Sequence, residues 1–336
     1  MKILVTGCFG FIGYNFINYL KKNNIDHIGV DSLESSSSKQ LYKINNDENL
    51  SKYFDLNIKD LNENKDLKKL NISTIVNFAA ETHVDNSIGN PESFIDSNIL
   101  GVTKLLRFAI ENNIENVIQI STDEVYGSVL DEFCDESSEL NPSSPYSASK
   151  ASAELICKSF IKTYGVNVKM VRPANNYGKF QQPEKLIPYS VANLIHEKNI
   201  EIYGEGRQIR HWLHVEDTVE AILAVIEKGK ENEIYNVGSG EYSENIEIAK
   251  QLLSILGLDE NRLEFVDERP GHDFRYAIDC TKIRNIGWSP KRSLKFELEK
   301  TVSWYMDNKD FWIDDYKIIN QKRIIPPNIN LDKITH

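Results

Sequence analysis

The chain has 336 residues, 40% of them hydrophobic, which supplies a core for one large or two unequal domains and excludes a disordered protein. Its formal net charge of −11, with acids and bases interspersed, excludes a general nucleic-acid binder; an anionic ligand would need a locally built positive site. The four cysteines, Cys8, Cys134, Cys157 and Cys280, have no metal-like spacing, so reduced thiols and no zinc site are expected.

In chain order, "KILVTG" (2–7) reads as a strand, "FIGYNFINYLKKN" (11–23) as a helix and "HIGVD" (27–31) as a second strand. The opening apolar run is too short for a signal peptide or a membrane span, so a soluble cytoplasmic protein is expected, with no membrane partner. The stretch containing "ESSSS" reads as a solvated loop, and short apolar runs follow at 52–56 and 73–80. A helix is predicted over about 91–112, a strand over 116–122, a helix over 144–165 and a strand over 166–173. This alternation predicts an α/β fold, a doubly wound and mostly parallel sheet with helices on both faces. Beyond Pro173 the pattern loosens into shorter elements separated by "YGEGRQ" and "GSGEYS", which suggests a smaller C-terminal domain. The expected division is 1–174 and 175–336, with "LHVED" and "EIYNVG" as segments that could return to the main sheet.

Between the first strand and first helix stands "GCFGFIG", whose Gly7, Gly10 and Gly13 permit a tight turn and close approach of a pyrophosphate to a helix N-terminus. The spacing is GxxGxxG, not GxGxxG, and glycine triplets alone are weak evidence. Asp31, ending the second strand, can accept from an adenosine ribose and repel a 2'-phosphate, which favours NAD over NADP; taken singly it also fits a turn cap. In "YSASK", Tyr146 and Lys150 are four apart and share a helix face. A lysine ammonium near a phenol favours the phenolate, which can take a proton from a sugar hydroxyl; an isolated YxxxK equally fits an ordinary amphipathic helix.

Together these features resemble the extended short-chain dehydrogenase/reductase superfamily, and six ordered blocks narrow the resemblance to the dTDP-glucose 4,6-dehydratases. The blocks are "FAAETHVDNSI" (78–88), "STDEVYG" (121–127), "NPSSPYSASKASAE" (141–154), "NNYGKFQQPEKLIP" (175–188), "YGEGRQIRHWLHVED" (203–217) and "ERPGHDFRYAID" (268–279). The resemblance implies a Rossmann domain and a smaller α/β substrate-binding domain. It implies the following chemistry: Tyr146 takes the 4-hydroxyl proton as hydride passes from carbon 4 to NAD, water is eliminated across carbons 5 and 6, and the hydride returns to carbon 6. Glu124 is then the base at carbon 5, Asp123 the acid for the 6-hydroxyl, and Thr122 a hydrogen-bond partner of the carbon 4 oxygen. Adjacent carboxylates repel, which favours one of them holding a proton. Adjacent strand residues point to opposite faces, so the strand should stop near Thr122 for Asp123 and Glu124 to face one sugar.

For the cofactor the resemblance implies Phe11 and Ile12 within the glycine motif, Asp31 with Ser32, Asp55 with Leu56, the wall Phe78, Ala79, Ala80 to Thr82, Ser97, and Asn176 beside Tyr146 and Lys150. For the nucleotide-diphosphate sugar it implies Thr82, Thr122, Asn175, Lys185 and Leu186, then Tyr203, Arg210 and Asn245, then Arg269 and His272. Arg210 and Arg269 suit a diphosphate as forked donors, though singly either also fits a surface ion pair. No metal is implied, and a homodimer through a four-helix contact of the helices near 91–112 and 144–164 is. The chain departs from the family pattern at Asn86, which the family's UDP-sugar dehydratases share, at His211 and His214, and in "SLESSSSKQL" (32–41). UDP- or CDP-glucose 4,6-dehydratases, and a silent NAD or sugar-nucleotide binder, are the competing readings. Epimerases and decarboxylases share the Tyr/Lys pair but do not normally present both acids after Thr122.

Overall fold

The computed structural model describes residues 1–34, 36–45 and 53–322. Twelve strands are described: β1 (Ile3–Thr6), β2 (His27–Asp31), β3 (Tyr53–Asp55), β4 (Thr74–Asn77), β5 (Asn116–Ile120), β6 (Val168–Pro173), β7 (Asn175–Tyr177), β8 (Ile200–Tyr203), β9 (Ile209–His214), β10 (Ile234–Val237), β11 (Tyr242–Glu244) and β12 (Leu263–Val266). Helices α1 (Phe11–Lys22) and α2 (Ser36–Asn45) precede β3. Between β4 and β5 come α3 (Val84–Gly89), α4 (Pro91–Phe94), a π-helical segment Ile95–Leu100 and α5 (Gly101–Glu111), and α6 (Pro145–Tyr164) leads into β6. The remaining helices are α7 (Leu186–Ile195), α8 (Val215–Lys228), α9 (Asn245–Ile255), α10 (Thr281–Asn285), α11 (Leu294–Asp307) and α12 (Lys309–Lys322).

The main sheet is parallel throughout, in the order β3-β2-β1-β4-β5-β6-β10, so the order reverses between β1 and β4, where doubly wound folds bind their ligands. Its strands are apolar runs because both faces are covered. Ile3 and Val5 of β1 pack with Phe16, Ile17 and Leu20 of α1 and Ile222 and Val225 of α8. Leu4 turns the other way, toward Leu105 of α5 and Cys157 of α6. Helix α6 starts where the sequence dictates: Ser144 caps it in a reciprocal pair with Ser147, Pro145 fills its first turn, and left-handed Gly165 ends it.

Segments after Pro173 divide their loyalties. "EIYNVG" supplies β10 to the main sheet, whereas "LHVED" ends β9 in a three-stranded sheet, β11-β9-β7, and its following helix α8 covers the main sheet. The apolar cluster runs on from the sheet to Val191, Ile248, Leu252 and Trp312 of the C-terminal segments. Two expectations need correction. The "ESSSS" stretch is not a loop along its length: α2 begins at Ser36, because Ser38 and Leu41 are buried and α2 lies against α12, a contact far away in sequence. The tail "DDYKIINQKRIIPPNINLDKITH" (314–336), which by its sequence could be a packed strand or a loose segment, continues the helix α12 as far as Lys322, with Tyr316 buried. Residue 52, at the start of the apolar run 52–56, and 323–336 lie outside the described residues.

Candidate active site

The loops after β1 and β4 meet at the reversal in strand order. Gly7 has φ +66°, and a Cβ there would come within 2.5 Å of the Ala79 amide nitrogen; one at Gly13 would come within 2.2 Å of the Gly7 carbonyl. The GxxGxxG spacing therefore reflects two close backbone approaches. No side chain caps α1 at Gly10, which leaves the first-turn N–H groups of Phe11, Ile12 and Gly13 without intrahelical partners. Asp31 holds this loop in place, accepting from the Phe9 amide at 2.9 Å and the Leu33 amide at 3.0 Å. Burial, opposed by those bonds, pushes its carboxyl up, and Asp55 and Glu34 add like charge. Leu56 donates its amide to the Asp31 carbonyl, so Asp55 and Leu56 sit beside Asp31, with half-buried Ser32 next in chain. Uncapped amides, absent Cβ atoms and nearby acids fit the pyrophosphate and adenosine ribose of a dinucleotide such as NAD.

Phe78, Ala79 and Ala80 extend β4 toward the same crevice, and Phe78 donates to the Thr6 carbonyl. The wall to Thr82 is fixed by a residue that sequence reasoning missed. Asn98, buried in the π-helical segment next to Ser97, accepts from the Glu81 amide at 2.8 Å and donates to the Glu81 carbonyl at 3.0 Å and the Ser149 hydroxyl at 2.8 Å. An amide on the buried side of a helical pattern was the available signal. Asn176 lies in the middle of β7 but commits its side chain internally, donating to the Ala174 carbonyl at 2.9 Å and accepting from Thr218 at 2.5 Å.

The strand carrying the acids stops as expected. After Ile120 the backbone turns into a 3-10 helix, Asp123–Tyr126, with Thr122 accepting from the Glu124 amide at 3.2 Å and donating to Asp123 at 3.3 Å. Burial and the Glu124 charge hold the Asp123 carboxyl well above the ordinary range. Glu124 is also raised by burial, but Lys185, Arg269 and Arg210 all pull it back toward the anion. The two carboxyls thus share burial but differ in their charged neighbours, an anion beside Asp123 and three cations beside Glu124, a difference that suits an acid and base pair.

Tyr146 and Lys150 share a face of α6, yet the ammonium does not serve the phenol directly. Lys150 donates to the Ile120 carbonyl at 2.7 Å, and burial lowers its pKa to about 8. The phenol is hydrogen-bonded to Thr122 and is held well above its ordinary value by burial and the Glu124 charge, with Asp123 adding to it.

The sugar-nucleotide candidates form two groups. Lys185, at the start of α7 before Leu186, donates to the Thr82 carbonyl at 2.9 Å, and Arg210 packs over the Tyr276 ring while donating to the Asp273 carbonyl at 2.9 Å. Asn245 opens α9, its amide bonded to the Gln208 carbonyl. In the second group, Arg269 at 3.2 Å and the Tyr203 hydroxyl at 3.3 Å both donate to Asp85, a carboxylate not among the predicted set. His272 contacts Tyr203 edge to face and Glu268 at 2.6 Å, and burial lowers its pKa to about 4. Three buried polar atoms of the predicted set, Asp123 Oδ2, Asn175 Oδ1 and Arg269 Nε, have no hydrogen-bond partner.

The GDP-mannose 4,6 dehydratase family model matches residues 4–301. A dTDP-glucose 4,6-dehydratase of Streptomyces niveus is 39% identical, covering 93% of this chain and 95% of its own length. The chain belongs to this family of nucleotide-sugar 4,6-dehydratases. The low-salt glycan biosynthesis protein Agl12 of Haloferax volcanii is also 39% identical, covering 92% of this chain and 100% of its own length. Among solved structures, the dTDP-glucose 4,6-dehydratase DesIV of Streptomyces venezuelae, with NAD and dTDP bound, superposes with a TM-score of 0.88 at 37% identity, covering 93% of this chain and 99% of that one.

Proposed function

We propose that this protein is an NAD-dependent dTDP-glucose 4,6-dehydratase, forming dTDP-4-keto-6-deoxyglucose and water. The observation that carries this reading is the pair Asp123 and Glu124, presented together by the turn after β5 beside Tyr146, with Asp123 facing the Glu124 charge and Glu124 facing the cations Lys185, Arg269 and Arg210. NAD, when bound, supplies the hydride acceptor that opens the reaction and the donor that closes it. The glycine loop and Asp31 hold it, Phe78 to Thr82 and Ser97 wall it, and Lys150 orients it. Tyr146 removes the 4-hydroxyl proton, with Thr122 hydrogen-bonded to the same oxygen. The resulting ketone acidifies carbon 5, where Glu124, whose anion Lys185, Arg269 and Arg210 favour against the effect of burial, takes the proton. Asp123, kept protonated by burial, gives its proton to the departing 6-hydroxyl. Lys185, Leu186, Tyr203, Arg210, Asn245, Arg269 and His272 bind the nucleoside diphosphate, and Asn175 meets the sugar side.

Residues 1–174 serve mainly the cofactor and 175–336 mainly the sugar nucleotide. Among the described residues no helix is long and apolar enough to cross a membrane, and the four cysteines are free, in keeping with a cytoplasmic enzyme. Ile95 and Leu100 beside α5, and Leu155 and Tyr164 on α6, are exposed apolar side chains on adjacent helices, as a homodimer through a four-helix contact requires.

A second reading, a UDP-glucose 4,6-dehydratase, is favoured by Asn86. Incubating the purified protein with dTDP-, UDP- and CDP-glucose and following 4-keto sugar formation decides between them. The dTDP sugar is expected to turn over with the highest kcat/KM, and no keto product from any of the three sinks the dehydratase reading.

A further inference from the structure

The two halves of the site, the acid turn and the Tyr146–Lys150 helix, are joined by a buried ion pair that the chemistry above does not use. Arg172 on β6 and Glu154 on α6 are both fully buried. They meet as a fork, with Arg172 Nε 2.8 Å from Glu154 Oε1 and Nη2 2.5 Å from Oε2. Arg172 Nη1 donates to the Tyr126 hydroxyl, which in turn reaches Asn236 Oδ1 at 2.8 Å and the Asp135 carbonyl at 2.9 Å. Tyr126 is the last residue of the turn that presents Asp123 and Glu124.

Glu154 also lies four residues beyond Lys150, one turn along the same helix face. Burial lowers Lys150, and the Glu154 charge is the largest influence opposing it. Cys157, on the same helix, is held as a thiol at about 12. From β6 the charged neighbour is Arg172, committed to Glu154, and from the turn after β5 Asp123 and Glu124 act on Tyr146. A buried ion pair is a poor source of stability, since a matched apolar pair often does as well. What this pair does is tie the acid turn to α6 through Tyr126.

We propose that Glu154, clamped by Arg172, is the positioning counter-charge that keeps Lys150 an ammonium inside the closed site, and that Arg172 acts through Tyr126 to set the acid turn against the helix bearing Tyr146. This rests on the dehydratase reading for its kinetic consequence, but its electrostatic half does not. NMR of isotope-labelled lysine, assigned with Lys150→Met, follows Lys150 ionisation without turnover. Glu154→Gln lowers its midpoint by about one pH unit or more, a tenfold change in the ionisation constant. Because that substitution strands a buried guanidinium, the charge-free pair Glu154→Gln with Arg172→Met is measured beside it and decides if the single variant does not fold. An unchanged midpoint in the folded variant overturns the counter-charge role.

Tyr126→Phe tests the other half, because it cuts the link to the turn and leaves Glu154 in place. Its Lys150 midpoint stays at the wild-type value while kcat falls about tenfold at unchanged KM, with elimination slowed more than oxidation. Equal slowing of both steps, or none, overturns it. Absence of keto product from the wild type would strike the dehydratase reading and leave the NMR result to judge the counter-charge alone.

Discussion

Glu124→Gln separates oxidation from elimination. Gln preserves the side chain's shape, and the Glu124 amide still donates to Thr122, so the turn survives. What is lost is the base and one negative charge. Loss of a positioned general base costs about a hundredfold to ten-thousandfold, or about 3 to 5 kcal/mol of barrier, and falls on proton removal at carbon 5. The effect on the earlier step has the opposite sign. The Glu124 charge raises the Tyr146 phenol, second only to burial, so its removal eases ionisation of Tyr146 and leaves oxidation at carbon 4 unimpaired or faster. Stopped-flow absorbance of reduced nicotinamide should therefore show a full-amplitude rise that persists, where the wild type shows a transient. Run in deuterated water, the variant should also incorporate little solvent hydrogen at carbon 5. A rise slowed as much as overall turnover, or wild-type deuterium incorporation, would refute the assignment of Glu124 as the base.

Three further outcomes are expected. Asp31→Ala strands the Phe9 and Leu33 amides, at about 1 to 3 kcal/mol each when buried groups lose their acceptor, so NAD affinity measured by titration calorimetry drops about tenfold or more; unchanged affinity would mean that Asp31 does not organise the loop. Lys150 carries its charge below about pH 8 and loses it above, so kcat/KM falls as pH rises through that value, on the basic limb of the profile and not the acidic one. Leu155→Glu places a charge on an exposed apolar helix face and should shift a dimer toward monomer in analytical ultracentrifugation, and a wild-type monomer at micromolar concentration would contradict the four-helix contact.

The parts of the site legible in the sequence are those fixed by local constraints. Gly7 is required by its own left-handed φ and Gly13 by its contact with the Gly7 carbonyl inside the same turn, and the end of β5 follows from the need to aim adjacent side chains at one sugar. What escaped depends on partners far along the chain. The segment around Ser36 has turn-like composition but becomes helical because α12, more than two hundred residues on, covers it. Spacing puts Lys150 on the face of Tyr146 but says nothing of the Ile120 carbonyl that accepts its hydrogen bond.

Asp85 is the instructive case. Arg269 was expected as a free fork for a diphosphate, and a carboxylate holding it looks at first like a competitor. The pairing occupies one nitrogen and leaves Nε buried without a partner, so the guanidinium keeps an unused donor already oriented. In a chain of net charge −11 a long cation left to itself would sample many rotamers and attract other acids. Asp85 restricts Arg269 before substrate arrives, lowering the entropy lost on binding, while the Glu124 charge feels the same guanidinium from the sugar side. On the proposed reading of Arg269, the acid beside the expected anion site is a support for the arginine and not its competitor, an arrangement that neither "HVDNS" nor "ERPGHD" discloses until the fold brings residues 85 and 269 together.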